Sequence, residues 1–265
     1  MKQKAAVIID RVREQRPLID CITNYVTIND CANILLAFGA SPAMCDAYDA
    51  AYAFAGISGA LYINLGTYIK EHEAAAIEAA LGAKKAGRPI VVDPVGCGAI
   101  RYQIDILDHI HEVAGIDLIK GNMGEIMTLA GKAAGVKGVD SESEIPGIED
   151  AVQAVAKKYG CVAAATGRVD AISDGTRLAR TANGVEMLTK ITGAGCMLGA
   201  LCAAAAAVAK DDLFAAAVAA CAVMGIAGEL AAETAKAPGS FRVALMDSIY
   251  GINGEALIQR GKITC

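Results

Sequence analysis

Residues 60–96, ALYINLGTYIKEHEAAAIEAALGAKKAGRPIVVDPVG, place two short apolar runs on either side of a helical pattern. The runs ALYINLG (60–66) and PIVVDPVG (89–96) have the length and the branched apolar side chains of buried strands. Between them, residues 71–87 have a helical periodicity and end at Gly87, where a helix C-cap is expected. A strand, a helix and a strand in this order predict two parallel strands joined by a crossover helix.

The same alternation extends along the chain in both directions. Further apolar runs predict strands at 18–23, 116–122 and 161–167, and periodic segments predict helices at 25–39 and 148–160. Repeated strand–helix–strand units predict an α/β fold, with a mostly parallel central sheet that is covered by helices on both faces.

Two segments depart from this rhythm. Residues 169–184 contain AIS-DG-TRLART, which predicts a hairpin at the edge of the sheet. After Cys196 the chain is nearly all helical, and this amount of apolar helix exceeds what one sheet face should require, which favours an interface between subunits. Because no internal repeat or flexible linker is visible, we expect residues 1–265 to form a single domain.

The composition argues against several classes of partner. The net charge is −5 and the lysines and arginines are scattered, so neither a nucleic-acid surface nor binding to an anionic membrane is expected. Residues 191–209 are uncharged, but they include Thr-Gly-Ala-Gly and are mostly alanine, which favours a tightly packed internal or interface helix over a membrane span. The charged N-terminal helix does not have the pattern of a signal peptide, and we expect a cytoplasmic protein.

The cysteines and histidines do not form a metal-binding pattern. There are nine cysteines, an odd number without a CxxC pair, and most lie among alanine and valine, where free cysteine acts as a small buried hydrophobe. His109 and His111 are two residues apart, so on a helix they point to different faces. We therefore expect neither a disulfide framework nor a zinc site.

The carboxyl ends of the predicted strands carry the polar and glycine-rich sequences, and ligands bind beyond these ends in open α/β sheets. Asp93 ends one strand just before Pro94, so it is either a turn residue or a carboxylate facing a metal or phosphate. The following GCGAIR has only two glycines of the dinucleotide fingerprint, and no P-loop sequence occurs. The candidate site is therefore not a Rossmann or Walker site.

The segment KGNMGEIMTLAG (120–131) allows two interpretations. Asn122 and Glu125 have the spacing of a helix capping box. Alternatively, Glu125 holds a water on Mg²⁺, which takes hard oxygen ligands, and Lys120 contacts a phosphate. Two other residues have equally simple structural explanations, since Thr166 could end a strand and Met44 could belong to the core.

The most specific element is TGAGC (192–196). Gly193, Ala194 and Gly195 would leave backbone N–H groups free at a helix start, which makes an anion site. The same N–H groups and the helix dipole favour a thiolate at Cys196. The alternative is a tight turn followed by an inert small cysteine.

Seven segments, in order, carry a resemblance to a known family: CITN, GASPAM, NLGT, DPVGCGA, GNMGEI, ATGRVD and LTKITGAGC. From about residue 5 to residue 245 the chain resembles the hydroxyethylthiazole kinases, and PGSFRVALMDSI (238–249) is similar to their C-terminal helix. The resemblance implies the three-layer ribokinase-like fold. It also implies ATP-dependent phosphorylation of 4-methyl-5-(2-hydroxyethyl)thiazole in thiamine biosynthesis and salvage, with Mg²⁺ as cofactor and a homotrimer whose active sites lie between subunits.

The resemblance also implies a role for individual residues. Met44, Gly193 and Asn24 would bind or lie near the thiazole, and Lys120 and Thr166 would contact ATP. Asp93 and Glu125 would serve the magnesium–phosphate region. Cys196 would lie at the reacting hydroxyl, at a position where related kinases generally carry aspartate.

Three positions depart from the family pattern. Asp20 stands where histidine is frequent, Lys120 where arginine is frequent, and Arg168 where glutamate is usual. A lysine offers a phosphate a point charge instead of a bidentate fork. The alternatives are another ribokinase-like small-alcohol kinase, an ATP-dependent hydrate dehydratase, and a non-catalytic ligand-binding protein of the same fold.

Overall fold

The structure is a computed structural model that describes residues 1–66, 70–132 and 146–265. Its described part contains one nine-stranded sheet with the order β2-β1-β3-β4-β5-β6-β7-β8-β9. The strands are β1 Leu18–Ile22, β2 Ser41–Ala43, β3 Ala60–Asn64, β4 Ile90–Asp93, β5 Leu118–Asn122, β6 Val162–Thr166, β7 Asp170–Ser173, β8 Leu178–Thr181 and β9 Ile263–Thr264. The strands β1 to β6 are parallel to one another, which confirms the mostly parallel sheet.

Helices connect and cover these strands. They are α1 Lys2–Gln15, α2 Ile28–Phe38, α3 Tyr48–Ile57, α4 Lys70–Lys85, α5 Tyr102–Ala114, α6 Met123–Leu129, α7 Ile148–Tyr159, α8 Ala194–Val208, α9 Leu213–Thr234, α10 Pro238–Gly251 and α11 Gly254–Arg260. A 3₁₀ helix, Glu186–Lys190, precedes α8. The glycines expected to end α2, α4 and α7 have positive φ angles of 99°, 62° and 60°.

Two apolar clusters lie on opposite faces of the sheet. Successive strand residues alternate between the clusters, as Tyr62 and Ile63 of β3 do, because side chains point to opposite faces of a strand. The first cluster joins the sheet to α1, α2 and α8 to α11, and the second joins it to α3 to α7. The three-layer α/β architecture is therefore confirmed.

The predicted hairpin is present, but the prediction that it forms the sheet edge is wrong. Strands β7 and β8 pair antiparallel, and β7 also pairs antiparallel with β6. The C-terminal strand β9 then pairs with β8 at Arg180 and Thr181 and covers its outer side. Because β9 has only two residues, no periodicity in the sequence could reveal it.

The apolar helices that follow residue 194 are buried within the subunit. Helix α9 is long and apolar enough to cross a membrane, but 83% of its apolar window is buried inside the structure, as in the core helix of a globular protein. Helix α8 is also almost entirely buried. The expectation that residues 191–209 include a packed internal helix is confirmed, but the idea that these helices are surplus to one subunit is wrong.

Candidate active site

The carboxyl ends of β1, β3, β4 and β5 meet the start of α8 in one polar cluster. The strand ends supply Asn24, Asn64, Asp93 and Lys120, and α8 supplies Cys196. All five residues are buried in the described structure, and each is within hydrogen-bond distance of another member of the cluster. This edge is the one at which ligands bind in open α/β sheets.

The start of α8 has the unbonded N–H groups that an anion site requires. The first intrahelical bond runs from the Met197 N–H to the Gly193 carbonyl at 2.8 Å. The three N–H groups before it, those of Ala194, Gly195 and Cys196, therefore have no acceptor within the helix. Gly193 has φ 83°, and a Cβ there would lie 2.6 Å from Thr27 Cγ2, so both conformation and space require glycine.

The thiol of Cys196 lies against an amide. Asn24 Nδ2 donates to Cys196 Sγ at 3.3 Å and to Asn64 Oδ1 at 2.9 Å. Asn24 is itself oriented, since its Oδ1 accepts from the Thr27 N–H at 3.1 Å. The sulfur is thus the acceptor in its hydrogen bond with Asn24, and accepting a hydrogen bond is compatible with the role of a base.

A buried ion pair lies beneath the helix start. Lys120 Nζ is 3.0 Å from Asp93 Oδ2, and Asp93 Oδ1 is a buried atom with no hydrogen-bond partner in the described structure. A Cβ at Gly195 would lie 3.1 Å from Lys120 Nζ, so the ammonium lies directly against the first turn of α8. The ammonium and the helix dipole both attract negative charge to this point.

Burial and charge act in opposite directions on this pair. Burial raises the pKa of Asp93 to about 6, although the charge of Lys120 opposes the shift. Burial also acts to lower the pKa of Lys120, but the charges of Asp93 and Glu125 outweigh it and raise that pKa above its ordinary value. The charge of each group therefore stabilises the charge of the other.

Glu125 caps a helix and ties two loops together. Its Oε2 accepts from the Asn122 N–H at 2.7 Å, and Asn122 Oδ1 accepts from the Glu125 N–H at 2.9 Å, which confirms the capping box. Its Oε1 accepts from the Gly96 N–H at 2.8 Å, which fixes the glycine loop after β4. Each carboxylate oxygen keeps a further lone pair, so the cap does not prevent a water or metal contact.

Thr166 and Met44 lie on either side of the cluster. Thr166, half-buried at the end of β6, donates to the Gly121 carbonyl next to Lys120 at 3.2 Å. Met44 follows β2, beside β1, and is half-buried against the first apolar cluster. The structure therefore brings together Asn24, Cys196, Gly193, Lys120, Asp93 and Glu125, with Thr166 next to them and Met44 further out.

The other two departures from the family pattern differ in burial. Arg168 is exposed after β6. Asp20 is fully buried in the middle of β1, where its Oδ1 accepts from the Cys45 N–H at 3.3 Å and its Oδ2 has no partner within the described residues. Burial raises the pKa of Asp20 to about 7.

Two residues of the cluster were not singled out by sequence reasoning. Asn64 belongs to the quoted NLGT segment; its side chain bridges Asn24 and Asp93, donating to Asp93 Oδ2 at 3.3 Å. Tyr62 has the pattern of a core strand residue, yet its hydroxyl lies 3.4 Å from Asp93 Oδ2 and donates to the Cys196 carbonyl at 2.9 Å. The position of Asn64 at the end of a predicted strand could have identified it as a site residue, whereas the sequence around Tyr62 contains no such signal.

Comparison with known proteins agrees with this geometry. Residues 9–255 match the Hydroxyethylthiazole kinase family. The chain is 57% identical over 256 residues to hydroxyethylthiazole kinase 2 of Clostridium botulinum strain Loch Maree, with 97% of each chain covered.

Solved structures extend the comparison to the fold. The hydroxyethylthiazole kinase protein of Pyrococcus horikoshii OT3 superposes with a TM-score of 0.89 at 37% identity and 98% coverage of both chains. A pyridoxal kinase from Staphylococcus aureus gives a TM-score of 0.54 at 14% identity, with 80% of this chain and 87% of that chain covered, and shows the fold alone. On the family match and the 57% identity, this chain belongs to the hydroxyethylthiazole kinase family.

Proposed function

We propose that the protein transfers the γ-phosphoryl group of ATP to the hydroxyl of 4-methyl-5-(2-hydroxyethyl)thiazole, in thiamine biosynthesis and salvage in the cytoplasm. The observation that carries this function is the start of α8, where three N–H groups and the Lys120 ammonium converge beside the Cys196 thiol. The match to the hydroxyethylthiazole kinase family, and to a relative of that name over 97% of both chains, supports the same function.

Phosphoryl transfer depends mainly on positioning and charge stabilisation. The N–H groups of Ala194 and Gly195 would bind the transferred phosphoryl group, with Lys120 beneath them. The alcohol oxygen forms a bond to the γ-phosphorus, the bond to the bridging oxygen breaks, and ADP leaves. Cys196 Sγ, held by Asn24, would accept the hydroxyl proton, while Gly193 and Met44 would contact the thiazole.

The residues at the strand ends fit a magnesium ion. Asp93 Oδ1 is a buried acceptor without a partner among the described residues, and Glu125 is close enough for its charge to raise the pKa of Asp93. Mg²⁺ is usually bound through one or two carboxylates, several waters and the substrate phosphates. The ion would neutralise phosphate charge when it is bound. Asp93 and Glu125 would hold it, directly or through water, while Lys120 and Thr166 contact ATP.

We also propose that the active protein is a homotrimer with active sites between subunits. The support from the structure is that three apolar side chains between residues 25 and 36 are exposed, namely Tyr25, Val26 and Leu36, at 55%, 64% and 58%. Size-exclusion chromatography with light scattering tests this assembly. A stable monomer at micromolar concentration would contradict shared active sites.

The experiment that tests the function is direct. The purified protein is incubated with ATP, Mg²⁺ and hydroxyethylthiazole, and the phosphorylated product is detected by mass spectrometry. A parallel panel of other small alcohols and a hydrated nicotinamide nucleotide covers the related enzymes. We expect thiazole phosphate, and its absence at saturating ATP would refute the proposal. Product from another substrate alone would favour a related enzyme, and no product at all would favour a binding protein.

A further inference from the structure

Tyr62 lies directly beneath the first half of α8. The whole residue is buried, and it belongs to the face of β3 that α8 covers. A Cβ built at Gly199 would lie 2.4 Å from the Tyr62 hydroxyl oxygen and 2.5 Å from Cε2. Only glycine at position 199 therefore lets the helix lie directly on the ring, and this contact sets the distance between α8 and the sheet.

The Tyr62 hydroxyl joins three members of the candidate active site. It donates to the Cys196 carbonyl at 2.9 Å and accepts from Asn64 Nδ2 at 2.9 Å. It also lies 3.4 Å from Asp93 Oδ2. A hydroxyl has one proton to donate, and the shorter contact assigns that proton to the Cys196 carbonyl.

The Cys196 carbonyl belongs to the first turn of α8, the turn that also carries the free N–H groups. A hydrogen bond from the sheet to this carbonyl limits how far the turn can rotate or rise. The thiol and the N–H groups must be aligned with the reacting atoms to well within 1 Å, because small displacements are costly in rate. Tyr62 ties this turn to β3, and Asn64, which donates both to the Tyr62 hydroxyl and to Asp93 Oδ2, extends the link to the end of β4.

We propose that Tyr62 is a positioning residue for phosphoryl transfer, which holds the first turn of α8, and with it Cys196 and the anion site, at a fixed distance from Asp93. This inference rests on the proposed kinase function. Tyr62 acts through the backbone of Cys196 and touches no substrate.

Tyr62→Phe tests the proposal because it keeps the ring and removes only the hydroxyl. We expect kcat to fall roughly 10- to 100-fold, because a shift of the first turn of α8 by up to about 1 Å would misalign Cys196 and the N–H groups with the reacting atoms. The KM values for ATP and for the alcohol should change less than about threefold, because the groups that bind the ground state remain. The matched control is Tyr159→Phe on the other face of the sheet, where a buried tyrosine donates to Asp108 at 2.7 Å. Its kcat should equal that of the wild type.

Amide hydrogen exchange gives a readout that does not need catalysis. In Tyr62→Phe, the amides of residues 197–200 should exchange about tenfold faster than in the wild type and in Tyr159→Phe, because local opening becomes easier. A wild-type protein that fails to phosphorylate hydroxyethylthiazole would refute the proposed function, while this exchange measurement would still decide on Tyr62. Unchanged exchange, or unchanged kcat in an active wild-type background, would overturn the inference.

Gly199→Ala is the second variant, and it decides the matter if Tyr62→Phe does not fold. The added methyl group would displace α8 from the Tyr62 ring without removing any polar group. We expect the same fall in kcat with nearly unchanged KM values. Wild-type kcat in folded Gly199→Ala would show that the position of this turn does not control the reaction, and it would overturn the proposal.

Discussion

Replacing Lys120 with methionine should destabilise the protein through the charge that remains behind. Lys120 Nζ lies 3.0 Å from Asp93 Oδ2, and the two side chains are 4% and 0% exposed, so water cannot replace the lost partner. Among the described residues, Asp93 Oδ2 would keep the hydrogen bond from Asn64 at 3.3 Å, while the Tyr62 hydroxyl, which donates to the Cys196 carbonyl, lies 3.4 Å away. Removing one member of a buried ion pair costs about 3–5 kcal/mol of the free energy of unfolding.

The double variant Lys120→Met, Asp93→Asn separates the charge from the packing. Asp93→Asn alone leaves the ammonium buried beneath a helix start, so it should cost about as much as Lys120→Met. With both changes no unpaired charge remains, and Asn64 can still donate to the amide oxygen. We therefore expect the double variant to be more stable than either single variant, with a coupling energy of about 2–3 kcal/mol.

The assay is urea unfolding of the four proteins at pH 7.5, followed by circular dichroism and extrapolated linearly to water. Additive costs would refute the argument, because they would mean that the two charges do not stabilise each other. Phosphoryl transfer should remain lost in the double variant, since the ammonium against Gly195 is gone. Recovery of wild-type kcat there would show that Lys120 serves only the fold.

Substitutions at three further positions test other parts of the site. Cys196→Ala should lower kcat by about 10²-fold, the lower part of the usual range for general-base help, with little change in KM. Cys196→Asp should stay active. Full kcat in the alanine variant would mean that the thiol contributes only to packing. Gly193→Ala forces an L residue to φ 83° and places its Cβ 2.6 Å from Thr27 Cγ2, so we expect backbone strain of about 1–2 kcal/mol and a higher KM for the thiazole, which steady-state kinetics would detect. An unchanged KM for the thiazole would contradict the assignment of Gly193 to substrate binding. Asp20 has a folded pKa of about 7 against about 3.9 when unfolded, so the folded state binds the proton more tightly and wild-type stability falls as pH rises from about 4 to 7. Asp20→Asn should therefore gain up to about 4 kcal/mol relative to the wild type at pH 8, and this gain should shrink toward pH 5; a pH-independent difference in urea unfolding would show that Asp20 does not titrate in this way.

The parallel part of the fold could be predicted because each element has a local signal. The strands predicted at 18–23 and 116–122 form over Leu18–Ile22 and Leu118–Asn122. The helix expected to begin at residue 25 begins instead at Ile28, because Asn24 Oδ1 accepts from the Thr27 N–H and holds a turn before it. The strand β9 depends only on pairing with distant residues, so no local pattern could indicate it.

The residues of the candidate site at the strand ends could be predicted from the sequence, but the contacts between them could not. Asp93, Lys120 and Cys196 are polar or reactive residues within three positions of a glycine, at or near the ends of elements, and this pattern identified them. The sequence does not report which of these groups touch. The ion pair of Asp93 with Lys120 and the hydrogen bond from Tyr62 to the Cys196 carbonyl join residues 27 and 134 positions apart. Such contacts arise only once the sheet and α8 have packed.

The cover of the sheet by α8 has a consequence for the growing polypeptide. Tyr62 and Val91 face α8, and α8 is synthesised more than a hundred residues after Tyr62. At about 5–20 residues per second, those 134 positions take roughly 7–27 s. During that interval this face of the nascent sheet lacks the helix that shields it, and exposed apolar strands favour aggregation. Helix α8 in the second half of the chain therefore covers apolar strands of the first half. Nascent chains on ribosomes stalled before residue 194 would leave those strands uncovered and would depend on chaperones.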